Sequence, residues 1–395
     1  MFRPVSSFSK ASPLLMRNVL RMLITCILCV VWNYQVSVQP LQSMDSGHDE
    51  DGYFLRSSTL PALFSFSGFT HQRWIMHQEE GSADYKDFSM IRLRTQVGGY
   101  LLHPSLEYKC SLEFADGMPS LRSAWIQWTH RIFSLRIGQS KHPFAFNALR
   151  SLRRQLFVDR TNATLSFRYL RGLQARLTTD IRKLQWTTAV TSGPGTQNKP
   201  FTDGNSVTFV NRLAYAFFGE HDYSIDLFGT SEQVALVTGI AHAYGKSASG
   251  KHTSDIIVRN DFGRFLPDYP DDYNAFNINS YTCDALLQYK QLMFESAVYV
   301  RRMSQTGTRV AGGFPRWTDH GLMSELSWMA WPEHMGMAVR YSQIDYHQLS
   351  NLYESGVGLV YYFKGNDVRV SADLRNIHFD NRNTVESRIQ LQLCI

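Results

Sequence analysis

From Phe64 to the carboxyl end the chain alternates apolar and polar residues in short segments separated by turn formers. A period of two places successive side chains on opposite faces of an extended backbone, so strands rather than helices must dominate. The clearest segment sets Leu106, Tyr108, Cys110, Leu112 and Phe114 on one face and Glu107, Lys109, Ser111 and Glu113 on the other. Ile91, Leu93, Thr95 and Val97 alternate likewise with Arg92, Arg94, Gln96 and Gly98, and Phe133, Leu135 and Ile137 with Ser134, Arg136 and Gly138. The pattern returns over 207–217, 281–290, 292–300, 335–341 and 368–375, and closes the chain with Ile389, Leu391, Leu393 and Ile395. Only the stretch from Ala145 to Leu156 reads as a short helix.

The punctuation between segments is of two kinds. His103-Pro104, Phe218-Gly219-Glu220, Trp331-Pro332-Glu333 and Lys364-Gly365-Asn366 are tight, whereas Gly138–Arg171, Thr191–Asn205, Ala243–Ser280 and Gln305–Asp319 are long and irregular. Short turns at one end and long loops at the other are the signature of an up-and-down transmembrane β-barrel. At roughly 20 residues per strand plus connection, residues 63–395 supply about 16 strands, within a range of about 16–18. The expected fold is therefore an all-β, antiparallel barrel, wide enough at that strand number for an aqueous lumen. A secreted β-sandwich or solenoid with one wet face is the competing architecture.

A sheet immersed in hydrocarbon must close on itself, because no water is present to satisfy an open edge. Its outer face is then apolar while its inner face tolerates charge. Sorted by parity, the polar face carries Arg92, Arg94, Lys109, Arg136, Arg176, Arg212, Lys290, Arg301, Arg340, Arg369, Arg375 and Arg388, with fewer carboxylates, namely Glu107, Glu113, Asp226, Asp284, Glu295, Glu325 and Asp373. Aromatics make up 13% of the chain; Trp74, Tyr100, Trp125, Trp128, Trp328, Trp331, Tyr361 and Phe363 sit near segment ends, as interfacial girdles require. The mean hydropathy of −0.25 is then an average over two unlike faces, and it excludes only a bundle of membrane helices.

Met22 to Trp32 is a short apolar run preceded by Arg17 and Arg21 and followed by polar sequence, the layout of a secretory signal peptide. We expect a leader over residues 1–38, with translation from Met16 an alternative start and an uncleaved anchor the competing reading. A flexible lead-in is expected over 39–62 and the barrel domain over 63–395. The formal charge of +6 falls to +2 once Arg3, Lys10, Arg17 and Arg21 are set aside with the leader, so overall basicity gives no sign of nucleic-acid binding. Cys110, Cys283 and Cys394 lie far apart and support neither a disulfide framework nor a zinc site.

Several motifs, in order, resemble the phosphate-selective porin O and P family of Gram-negative outer membranes. They are Phe88 to Arg94 followed by Gly98-Gly99-Tyr100, Ile137 to Phe144, Phe157-Val158-Asp159-Arg160 ahead of Arg171-Gly172, Thr282 to Ala285 ahead of Phe294-Glu295-Ser296, Gly356 to Gly365, and Arg388 to Leu393. The resemblance implies a homotrimer of 16-stranded outer-membrane barrels, each with its own anion-selective pore open to phosphate, other oxyanions or chloride. It also implies a long loop, after an early strand, that folds inward and narrows the channel. The stretch from Lys141 to Arg160 fits that loop, making Lys141, Arg150, Arg153, Arg154 and Arg160 the expected constriction, some of them paired locally with carboxylates such as Asp159. Arg92, Arg94, Arg136, Arg176 and Arg340 are the expected lumen wall. Two features depart from the family pattern: the last residue is Ile395 rather than Phe, and the barrel is less heavily basic than a dedicated phosphate channel.

Nothing in the sequence calls for a metal or cofactor, and GxSxG, HExxH and phosphate-loop motifs are missing. The Asp268-Tyr-Pro-Asp271-Asp272 cluster reads as an exposed acidic loop, and His71, His77 and His130 as wall or interface residues. The expectation is a passive channel and not an enzyme. A general diffusion porin without phosphate preference, a plugged structural barrel and an outer-membrane hydrolase are the alternatives.

Overall fold

The computed structural model describes residues 44–49, 52–57, 61–80, 84–115, 119–169, 171–192, 207–221, 227, 231–247, 276–305, 316–347 and 350–395. The leader expected over 1–38, Asp226 and the acidic cluster at 268–272 lie outside these residues.

Among the described residues eighteen strands form one sheet, antiparallel in every pairing around the barrel from β3 to β18. They are β1 (Met44–Asp49), β2 (Gly52–Ser57), β3 (Ala62–Glu79), β4 (Tyr85–Leu101), β5 (His103–Glu113), β6 (Ser120–His130), β7 (Phe133–Lys141), β8 (Arg171–Ile181) and β9 (Leu184–Ser192). The second half holds β10 (Val207–Phe218), β11 (Ser231–Ser247), β12 (Phe276–Lys290), β13 (Leu292–Gln305), β14 (Arg316–Trp331), β15 (Met335–Asp345), β16 (Leu352–Lys364), β17 (Val368–Phe379) and β18 (Arg382–Cys394). Consecutive strands from β3 to β18 pair in order, and β18 returns to β3 over Thr384↔Glu79 to Cys394↔Phe69. The result is a closed barrel of sixteen strands. Main-chain bonds between Gly68 and Ile395 at 2.8 and 2.9 Å complete the seam, leaving no open edge there.

Within the stretch expected to be a flexible lead-in, β2 instead pairs with the lower part of β3, from Tyr53↔Phe66 to Ser57↔Ala62. Two turns also differ from expectation. His103 and Pro104 already belong to β5, the turn itself being Leu102, which takes a positive φ of 66°. The connection after Phe218 is no tight turn but runs to Ser231, and from it Leu227 is buried in the barrel interior.

Alternation sorts the strands as expected. Along β10, Val210, Arg212, Ala214 and Ala216 are buried inside, while Phe209, Leu213, Tyr215 and Phe217 are exposed outside. Two bulges reset the parity. In β4 the register passes from Arg92 to Met90, so Ile91 is the extra residue and lines the interior rather than sharing the outer face of Leu93. In β6 it passes from Leu121 to Ser123, and Arg122 is the extra residue. A bulge inserts one residue against the partner strand and re-aims the side chains around it.

Candidate pore and selectivity site

The segment over 142–169, between β7 and β8, turns into the barrel. It contains α1 (Phe146–Leu149), a single 3₁₀ turn (Leu152–Arg154) and α2 (Asn162–Phe167). With so little regular structure, most of its backbone groups need partners from elsewhere. The inner faces of β10 and β12–β18 supply them. Asp284 accepts from Phe146 N (3.1 Å), Asp373 from Val158 N (3.0 Å) and Glu354 from Asn162 N (2.7 Å). In the opposite sense Arg212 donates to Phe144 O (3.0 Å), Arg369 to Gln155 O (2.7 Å), Arg340 to Asp159 O (2.7 Å) and Arg301 to Ser166 O (2.8 Å).

The wall charges that grip the segment also pair with one another. Arg212 meets Asp284 at 2.6 Å, Arg340 meets Glu354 at 2.7 Å, Arg301 meets Asp319 at 3.2 Å, and Arg388 meets Asp373 at 2.7 Å. Arg375 bonds Glu386 on the neighbouring strand. Asp159 of the segment completes the network, taking Arg73 at 2.7 Å and Arg388 at 3.1 Å. Burial alone would raise the Asp159 carboxyl, but Arg73, Arg388 and Arg92 hold it well below the usual carboxylate range. Burial, and then Arg171 and Arg176, push His142 down to about 3, so its ring is neutral at ordinary pH.

Apolar side chains fill the rest of this half. Phe146, Leu156 and Phe157 pack with Leu227, Leu286, Met293, Met329, Ala338, Val360 and Tyr362. Phe144, Phe167 and Tyr169 pack with Tyr299, Met303, Trp317, Met323 and Ile344. Wall glycines make seats for the rings: a methyl added at Gly321 would come within 2.6 Å of Phe167, and one at Gly358 within 3.0 Å of Phe157.

The open lumen, about 1980 Å³, therefore lies off-centre, between the segment and the β3–β9 wall. Among the described residues fourteen arginines and lysines line it against five carboxylates. Of those five, Glu79, Asp84, Asp87 and Asp380 belong to the long-loop mouth, and Asp180 lies beside the turn at the other end. The middle is lined by Arg92, Arg94, Arg136, Arg176, Lys141, Arg153, Arg154 and Arg160, together with Lys109, Arg122, Arg168 and Arg171. Glu113 stands behind them, meeting Arg94 at 2.7 Å and Arg122 at 3.7 Å. Lys141 Nζ donates to the carbonyls of Leu149 and Arg150 (2.8 and 2.9 Å), and Arg160 to those of Asn147 and Arg150 (2.9 and 2.6 Å), so both fix the inward turn while facing the lumen. Arg136 lies over the Trp125 ring at 3.8 Å and opposite Arg176 in the ladder. Burial first, then the guanidiniums of Arg168, Arg92 and Arg150, weaken the hold of Arg160 on its proton. An anion among these groups relieves that repulsion.

Eight of the ten residues expected at the constriction or wall thus line one space, and two do not. Arg150 is fully buried against the opposite wall, its guanidinium 3.0 Å from Glu295. Arg340 lies behind the segment, held by Glu354 and the Asp159 carbonyl. Arg122, Arg168 and Arg171 complete the lining. Alternation could not single out Arg122, which is the bulge residue of β6, nor Arg168, which lies in irregular backbone.

A closed sixteen-stranded barrel, apolar outside and charged within, with an inward segment narrowing its lumen, has the architecture of the outer-membrane porins. Within that class the chain resembles the phosphate-selective porin O and P family, whose model matches residues 76–233, a stretch that includes the inward segment and most of the lumen-lining wall. No curated protein matches the sequence. Among solved structures, the fold is that of an anion-selective porin from Comamonas acidovorans (TM-score 0.60, 10% identity, 84% of this chain and 99% of that one). OmpT of Vibrio cholerae, an outer membrane protein, gives a TM-score of 0.56 at 9% identity over 84% and 97% of the two chains. OprB of Pseudomonas putida gives 0.54 at 10% identity over 84% and 94%.

Proposed function

We propose that the protein is a passive, anion-selective channel of the outer membrane, conducting small oxyanions such as phosphate as well as chloride. The observation that carries this reading is the division of charge inside the barrel. On the β10–β18 side, arginines and carboxylates pair with each other and with the inward segment. Along the open lumen, cations hold the middle and carboxylates stand at the two mouths. A narrow, low-dielectric passage lined by one sign of charge concentrates the opposite ion, and fixed donors replace the water that the ion sheds. Arg matches oxyanions through its planar fork, Lys as a point charge. Several weak sites in succession let an ion leave as readily as it enters. On this reading Lys141, Arg153, Arg154 and Arg160 act at the constriction and Arg92, Arg94, Arg136 and Arg176 along the wall, no covalent chemistry is carried out, and the working unit is a homotrimer. Residues 1–38 serve as the export leader.

Planar-bilayer recording in a KCl gradient tests the proposal. The expected reversal potential has the sign of anion preference, and millimolar phosphate should reduce chloride current. Cation preference in the intact protein would overturn it, and chloride current indifferent to phosphate would leave a general anion pore.

A further inference from the structure

Nearly every arginine of the barrel strands points inward, but two on adjacent strands point the other way. Arg301 and Met303 of β13 are buried, so Arg302 between them faces out, and it is exposed. Trp317 and Asp319 of β14 are buried, which turns Arg316, Thr318 and His320 outward, Arg316 and His320 being exposed. In the ladder Arg302 stands opposite Thr318, so Arg316 and His320 are its diagonal neighbours, roughly 7–8 Å away at the backbone and within reach of long side chains. No described side chain forms an ion pair with Arg302 or Arg316. Among the described residues the carboxylate on this register, Asp345 opposite His320, accepts from Gln343 at 2.7 Å.

Height on the barrel identifies the environment. Below these residues the outward positions of β13 are Val300, Val298, Ser296, Phe294 and Leu292, and Leu292 pairs with Trp328 near the short-turn end. Leu292 and Arg302 are ten residues apart. At about 3.3 Å per residue and a tilt of roughly 35–45°, that is roughly 23–27 Å along the barrel axis. An outer-membrane barrel presents an apolar band about 25 Å tall. Arg302, Arg316 and His320 therefore lie at its long-loop boundary, where lipid headgroups begin. Tyr281, exposed and stacked on His242 at 4.8 Å, marks the same boundary on the neighbouring strands. Amide and hydroxyl groups flank the guanidiniums: Asn279 lies opposite Arg302 on β12, and Ser304 opposite Arg316.

We infer that this outward rim of β13–β14 binds the phosphorylated sugar headgroup of an outer-leaflet glycolipid. Arg302 and Arg316 would take the phosphate, which two guanidinium forks suit better than point charges, while the surrounding amide and hydroxyl groups meet the sugar. The inference rests on the outer-membrane placement of the barrel but not on anion selectivity, since neither arginine touches the lumen.

The test is native mass spectrometry of the detergent-purified protein with added diphosphoryl lipid A, with the same lipid after enzymatic dephosphorylation, and with inorganic phosphate as competitor. The expected result is retention of the phosphorylated lipid at least fivefold above the dephosphorylated one, undiminished by millimolar phosphate. The Arg302→Gln/Arg316→Gln double variant should lose that excess while keeping wild-type conductance, which shows that it has folded. Equal retention of the two lipids by the wild-type protein, a comparison that needs no variant, would overturn the inference, and so would undiminished retention by a conducting double variant. An error in the selectivity reading would appear instead as an altered reversal potential and leave these outcomes untouched.

Discussion

Asp159 shows how one carboxylate sets the shape of the passage. It touches Arg73 of β3 and Arg388 of β18, the two strands at the barrel seam, and so ties the inward segment to the closure. Replacing one partner of a buried ionic network leaves charges unmatched, at a cost of about 3–5 kcal/mol. Asp159→Asn should therefore loosen the segment, seen as greater open-channel noise and faster proteolysis within 142–169 at neutral pH. The pH dependence has a definite sign. Because the native carboxyl is held below its unfolded value of about 4, its stabilisation is complete above that value and is lost only as pH falls through the lower native one. Channel noise in the wild-type protein should accordingly stay flat from pH 7 to about 5; a rise within that window would contradict the assignment. Arg150 makes a second residue-scale contrast. Arg150→Gln strands Glu295 and should destabilise the segment while shifting the reversal potential little, whereas Arg94→Gln, at the open lumen, should reduce the anion-to-cation permeability ratio severalfold.

At the scale of elements, the inward segment is held by a seat as well as by charge. Gly321 and Gly358 leave room on the wall for Phe167 and Phe157, and Leu227 from the connection after β10 packs into the same cluster as Leu156 and Phe157. A larger residue at Gly321 must displace the Phe167 ring, since the space for even one methyl is taken. Gly321→Leu is expected to raise hydrogen exchange across α2 without unfolding the barrel, whose strands keep their ladders. Phe157→Ala empties a buried aromatic site at a cost of about 3–5 kcal/mol and should act in the same direction. Exchange measured by mass spectrometry checks both; unchanged protection across 162–167 in Gly321→Leu would show that the seat does not hold the segment.

Across the whole molecule, the barrel is divided lengthwise into a packed half and a conducting half. Arg212, Arg301, Arg340, Arg369, Arg375 and Arg388 are as buried as core residues. On the packed side the first four do the work that helix and sheet ladders do elsewhere, pairing an irregular backbone, while Arg375 and Arg388 are matched by carboxylates. Exchanging Arg369 for Gln is thus expected to change loop stability and leave ion selectivity near the wild-type value, the reverse of the pattern for Arg136→Gln. Reversal potentials on the two variants check this; equal effects on selectivity would mean that ions also pass on the packed side. This division explains how far sequence reasoning reached. Strand parity found the inward arginines of β4, β7 and β8, because period two is a property of the backbone. It could not tell Arg340 from Arg136, since both face inward and only the path of the segment between them separates wall from lumen.

The sequence by itself determined that the chain forms strands, that their two faces differ, and that a long irregular stretch bearing arginines follows Lys141; that this stretch folds inward was implied by the family resemblance alone. The first three properties are local, carried by side-chain alternation and turn chemistry. Tertiary structure decided which way the loop leans. That outcome depends on contacts between residues more than a hundred positions apart, such as Phe146 with Asp284 and Asn162 with Glu354. Pairing of this kind assigns each buried charge a task, anchoring or lining, that its identity and spacing leave open.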